Sequence, residues 1–209
     1  LHLYGHSFPT RRSSDLPVVT IDYVHHNCTA VSSNNIQGME DLVKYIYGQG
    51  HRKIAYIHGQ QASYVTKDRL ASFYRTVDEL GLKIPDEYIR TADYLETREA
   101  AKQTKELLNL EDPPTCIIYP DDTSLIGGRN VIIEMGLRIP RDISIAGYDG
   151  TRMSQLLHPQ LTTIRQDTEL IGSEAAKRLI GSIEKPRTTL VERVVIEGIL
   201  VAGKSVGRI

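Results

Sequence analysis

Among the residues that could do chemistry, Gly198-Ile-Leu-Val-Ala-Gly203-Lys204-Ser205 matches the phosphate-loop pattern G-x-x-x-x-G-K-S. That loop works only between a strand and a helix whose N-terminal amides hold the phosphates. Here Ile199-Leu200-Val201 itself reads as strand and the chain runs on only four residues past Ser205, so the nucleotide reading is disfavoured. G-x-G-x-x-G, G-x-S-x-G and H-E-x-x-H do not occur. His25-His26 stands beside Cys28, but neighbouring histidines in an extended segment face opposite ways, so a solvated loop is favoured over a metal site. Asn27-Cys28-Thr29 fits the glycosylation pattern, which matters only in secreted eukaryotic chains. Asp121-Asp122 could form an acid pair, yet Asp122 sits where a helix N-cap belongs. Capping is the favoured role for Asp122, which leaves Asp121 to face a cleft. No catalytic signature survives, so an enzyme is not expected, nor is a cofactor or a metal.

The elements that must position the remaining polar groups alternate between strand and helix. Pro17–Asp22 suits a short buried strand, and from Asn35 the residues Ile36, Met39, Leu42, Val43 and Ile46 form one helical stripe, stopped by Gly48 and Gly50. Strands follow at Lys53–His58, Thr115–Tyr119 and Ile143–Ala146. Helices are expected over Asp68–Leu80, Arg98–Leu110, Asp122–Met135 and Thr168–Ile183, and Thr189–Val201 reads as extended. Strands joined by crossover helices imply a mostly parallel sheet covered on both faces. In such sheets ligands collect beyond the carboxyl ends of the strands. The residues just past those ends are Asp22, His58-Gly59, Tyr119-Pro120-Asp121 and Tyr148-Asp149. Three carboxylates in that position make a polar rim suited to hydroxyl-rich ligands, and a guanidinium can add a paired donor.

Composition narrows the classes. In 209 residues, 25 Lys and Arg oppose 26 Asp and Glu, a net charge of -1 that argues against a self-contained nucleic-acid binder. Hydrophobic content of 40% with 24% charged residues is that of a globular chain, and no apolar run approaches the ~20 residues that span a bilayer. Two cysteines, Cys28 and Cys116, make no disulfide framework and fit a reducing compartment. Ser7–Leu16, SFPTRRSSDL, looks like the translation of a sequencing-library adapter. Residues 1–16 are therefore expected to be a foreign or disordered leader, with the natural N-terminus missing.

Two longer segments are specific. Leu137-Arg-Ile-Pro-Arg-Asp-Ile-Ser-Ile-Ala-Gly-Tyr-Asp149 followed by Pro159-Gln-Leu-Thr-Thr-Ile-Arg-Gln166 resembles the effector-binding domain of LacI/GalR-type transcription regulators. Shorter pieces occur in the family's order: Asn34-Asn35, Gly50-His51-Arg52-Lys53-Ile54, Arg69-Leu70 and Pro114-Thr115. The likeness runs from about Pro17 to the end. Asn34 departs from the family's usual Asp, Asp121 stands where Asn is frequent and Leu125 where Ala is usual.

The resemblance implies an α/β, two-lobed, parallel-sheet fold of the periplasmic-binding-protein-like type I, with the first lobe incomplete. Residues 17–34 and 166–193 would form part of the N-terminal lobe, and 35–165 and 194–209 the C-terminal lobe. It implies an effector, a sugar by the chemistry of the rim, held between lobes by Asp22, Arg69, Tyr94, Asp121, Asp149 and Gln166. Gly147 and Gly150 would serve the backbone turn. It further implies a cytoplasmic homodimer that reaches operator DNA through an N-terminal helix-turn-helix absent from this chain, with no membrane partner. A sugar-binding protein of a transport system is the alternative with the same fold.

Overall fold

The computed structural model describes residues 16–25, 27–185 and 190–209. The leader expected over residues 1–16 therefore lies, apart from Leu16, outside the described residues. The chain divides into two compact units, crossing from one to the other after Ser33, Asp167 and Ile196.

The first unit holds strands β1 (Val19–Ile21) and β2 (Thr29–Ser33), a long helix (Thr168–Glu184) and a strand (Arg193–Ile196). Its three strands pair in parallel with β2 in the centre. The helix lays Ile171 and Ala175 over Val31, with Val19, Val194 and Ile196 beside them. The expected buried strand at Pro17–Asp22 is shorter and half-exposed: it forms a sheet edge, and Ile21 is 50% exposed.

The second unit is an open sheet covered on both faces. In chain order its elements are α1 (Asn35–Gly48), β3 (Ile54–His58), α2 (Tyr64–Glu79), a 3-10 turn (Asp86–Tyr88), β4 (Ile89–Thr91), α3 (Thr97–Leu108), β5 (Cys116–Ile118), α4 (Asp122–Glu134), β6 (Ser144–Asp149), α5 (Arg152–Leu156) and β7 (Thr162–Arg165). The long helix and the strand of the first unit come next as α6 and β8, and β9 (Ile199–Val201) returns to the second unit. The strand order is β4-β3-β5-β6-β7-β9, parallel throughout except for the antiparallel β7–β9 pair. Alternation along the strands feeds two cores. Ile54, Tyr56, Ile118, Ala146 and Tyr148 meet α1 and α2 through Met39, Leu42, Ile46, Phe73 and Val77. Ala55, Ile57, Ile117, Tyr119 and Ile145 meet α3 and α4 through Ala100, Leu107, Leu125 and Ile132.

Three local expectations need correction. Ile36 is 41% exposed, so the buried stripe of α1 begins at Met39. Helix α2 begins at Tyr64, not Asp68, which puts Arg69 in its second turn. The extended run expected over Thr189–Val201 is two strands in different units, with Thr189 outside the described residues. Among the described residues no helix is long and apolar enough to cross a membrane.

Candidate functional site

Parallel pairing brings the carboxyl ends of β3, β5, β6 and β7 to one edge of the second unit's sheet, and the polar residues gather there. Arg69 reaches that edge from α2. It is 3% exposed, donates from Nε to Asn35 Oδ1 at 2.7 Å and from Nη1 to the Pro120 carbonyl at 2.8 Å. Its guanidinium lies 3.4 Å above the Tyr148 ring, and Nη2 is 3.9 Å from Asp149 Oδ1. Burial works against this charge, but the Tyr148, Tyr94 and Tyr56 phenols and the Asp149 carboxylate outweigh it and raise the Arg69 pKa. The same burial pushes the Tyr148 phenol up to about 12, against the pull of Arg69.

Asp149 ends β6 with φ 99°, a left-handed conformation uncommon in a residue with a Cβ. Its Oδ1 accepts Gln166 Nε2 at 2.6 Å, and its carbonyl accepts the Gln166 amide at 3.2 Å. Arg69, Asp149 and Gln166 are thus brought together by α2, β6 and the end of β7. Tyr94 lies in the loop after β4, its hydroxyl 2.8 Å from Thr66 Oγ1 on α2. Its ring covers Gly59, where a Cβ would come within 2.2 Å of Cε2. Asp22 belongs to the first unit, also at positive φ (54°), and its Oδ1 accepts the Ser33 amide at 3.4 Å.

Neither of the two adjacent acids takes its expected role. Asp121 caps α4: its backbone is extended (φ -158°, ψ 167°), and Oδ1 accepts the Ser124 amide at 2.8 Å. Its Oδ2 accepts the Ser124 hydroxyl at 2.7 Å and the Leu95 amide at 3.0 Å. It is 2% exposed and anchors the Tyr94 loop to α4, instead of standing open to a cleft. A cap must be non-helical while its side chain turns back on the first turn, and Asp122 is already helical. Asp122 is buried beneath β6 instead. Gly147 also departs from expectation, lying inside β6 where a Cβ would meet Asp122 Oδ1 at 2.4 Å, so it gives room and makes no turn. Gly150 does turn, at φ 66°. The Gly198–Ser205 stretch is β9 and its tail: the Gly203 amide goes to Thr162 Oγ1 and the Ser205 hydroxyl to the Ile145 carbonyl, with no helix after Gly203 to hold a phosphate.

Sequence reasoning missed Asn35, Tyr148 and the Pro120 carbonyl as partners of Arg69. Asn35 and Tyr148 stood in motifs quoted for the family; only the packing of α1, α2 and β6 shows that they share one cation.

An open parallel sheet with a charged rim at its carboxyl edge is the build of an α/β binding domain. Comparison with known proteins narrows this. The model of the periplasmic binding protein-like domain matches residues 43–206. The HTH-type transcriptional repressor PurR of Aliivibrio salmonicida is 31% identical over 175 residues, 83% of this chain and 52% of that protein. A LacI transcriptional regulator from a Rhodococcus species superposes with a TM-score of 0.86 at 25% identity, over 95% of this chain and 73% of the other. The transcriptional regulator CelR in complex with cellobiose gives 0.82 at 25% identity, over 90% and 58%. The chain belongs to the periplasmic binding protein-like family, as an effector-binding domain of the LacI/GalR type. It spans about half the length of the curated relatives it matches.

Proposed function

We propose that this chain is the sensory part of a bacterial transcription regulator and that it binds a sugar at the carboxyl edge of the second unit's sheet. The observation behind this is the Arg69–Asp149–Gln166 cluster: a buried cation stacked on a phenol, a carboxylate in left-handed backbone and an amide, together at one strand edge. A polyol presents hydroxyls that both donate and accept, and this set offers both partners. Arg69 uses two of its five N–H groups on Asn35 and Pro120, which leaves three for Asp149 and a ligand oxygen. Tyr94 supplies a ring for the apolar face of a sugar. Asp121 acts one step back, through the loop that carries Tyr94.

The repressor names of the relatives and the cellobiose held by CelR favour a sugar-responsive regulator over a transport-type binding protein. Such a regulator acts by population shift: a ligand that prefers one arrangement raises its share. Moving the balance from 1:99 to 99:1 needs roughly 5.5 kcal/mol of differential affinity, within reach of two to four charge-assisted hydrogen bonds at ~1.5–3 kcal/mol each. Operator DNA, a homodimer and a cytoplasmic setting complete the proposal for the intact protein.

Calorimetry of the chain against a panel of mono- and disaccharides that includes cellobiose tests the reading. One sugar binds, and Asp149→Ala weakens it about 10- to 100-fold, the equivalent of one charged hydrogen bond, while melting stays cooperative. Silence from every sugar, with a purine or a peptide binding instead, refutes it.

A further inference from the structure

Asp122 is 1% exposed, and the site described so far leaves it without a task. Its Oδ2 accepts the Thr151 amide at 2.7 Å and the Thr151 hydroxyl at 3.2 Å, and its Oδ1 accepts the Thr163 hydroxyl at 2.8 Å. Thr163 Oγ1 in turn accepts the Gly150 amide at 3.2 Å. Both amides that follow Asp149 are therefore tied to Asp122, one directly and one through a hydroxyl. Asp149 sits at φ 99°, a conformation that persists only where neighbours over-determine it. The ties through Gly150 and Thr151 do so from beneath, while Gln166 holds the carboxylate above.

We propose that Asp122 is the positioning residue of the rim, whose ionised carboxylate holds Gly150 and Thr151 and so aims Asp149 at the ligand. This rests on the ligand-binding reading of the rim given above. Ionisation matters because all three bonds, two from Thr151 and one from Thr163, are now donated to the carboxylate. A protonated Asp122 must itself donate to one of the hydroxyls, turning that hydroxyl's proton elsewhere, and a neutral carboxyl accepts its remaining bonds more weakly, so the hold on Gly150 and Thr151 loosens. Burial raises the Asp122 pKa to about 6, against the hydrogen bonds from Thr163, Thr151 and Ser154, and the Asp149 charge adds to the rise. Of the other ionisable groups on the packed elements, Asp121 is bound to Ser124 and Leu95, while Arg152, His158 and Arg165 are exposed. Rim geometry is thereby made to switch between about pH 5 and pH 7.

Nuclear magnetic resonance of the isotope-labelled chain, with no sugar added, reads this directly. The backbone amides of Gly150 and Thr151 and the side-chain amide of Gln166 should shift together with one midpoint near pH 6. In Asp122→Asn that shared titration disappears. Thr163→Val is the second variant, and loss of a bond to the ionised form moves the midpoint to higher pH. The proposal is overturned if the shared titration survives Asp122→Asn, or if Gln166 stays still while the two backbone amides titrate. It is equally overturned if Thr163→Val leaves the midpoint in place. Because no ligand enters, failure of the sugar panel counts against the sugar reading alone, whereas these signals judge Asp122.

Discussion

Replacing Arg69 with alanine asks whether the rim is held from below by a buried cation. The side chain is 3% exposed and joins α1, the end of β5 and β6 through Asn35, Pro120 and Tyr148. Each hydrogen bond from a charged donor contributes ~1.5–3 kcal/mol, and a desolvated cation over a ring about 2 kcal/mol. Relief of guanidinium desolvation offsets part of this, while the stranded Asn35 and Pro120 oxygens add to the loss. Removing one member of a buried charged arrangement costs about 3–5 kcal/mol net. At ~2–4 °C per kcal/mol for a domain of this size, Arg69→Ala melts roughly 10 °C below the parent by circular dichroism, with a matching fall in denaturant midpoint. Arg69→Lys keeps the charge but loses the planar fork, and falls between the two. A melting point for Arg69→Ala within about 2 °C of the parent would show that the backbone preforms this edge without the guanidinium.

Gly38→Ala places a Cβ 2.1 Å from the Tyr148 hydroxyl, at a ring already pinned by Arg69. Chemical denaturation should register a loss of about 1–3 kcal/mol from overpacking, and an unchanged midpoint would contradict the close approach of α1 to β6. The raised pKa of Asp122 carries a defined sign. Folded Asp122 holds its proton up to about pH 6 against an ordinary value of 3.8, so its contribution to stability is full below about pH 4 and is lost as pH rises through 6. The whole loss is on the order of 3 kcal/mol, of which about 1.4 kcal/mol falls between pH 5 and pH 8, where comparing parent with Asp122→Asn reads it. A difference that does not change between those two pH values would refute the assignment.

Much of the fold was legible because hydrophobic period follows backbone geometry. The short apolar run from Ile54 to Ile57, closed by Gly59, suits a buried strand, and the stripe from Met39 to Ile46 has helical spacing. Ile89–Thr91 was not legible, since a three-residue, half-exposed edge strand shows no period. The start of α2 was missed for a related reason: its first turns bury Thr66 and Arg69, which are polar, so the apolar stripe shows only from Leu70 onward. The alternation of strands and helices also placed Asp149 at the carboxyl end of a strand, but Asp121 is taken up as the cap of α4 and Asp22 belongs to the first unit.

What local pattern determined, then, was element type and the edge where polar groups collect, because both follow from residues close together in the chain. Tertiary structure alone decided which acid caps and which is buried. That choice rests on the φ of -158° with which the chain leaves β5 at Asp121, and on a cleared space above Gly147. It likewise decided that Arg69 is enclosed among Asn35, Pro120 and Tyr148, residues 34, 51 and 79 positions away. Their approach depends on how α1 and α2 settle on the sheet, and no short-range propensity encodes that packing.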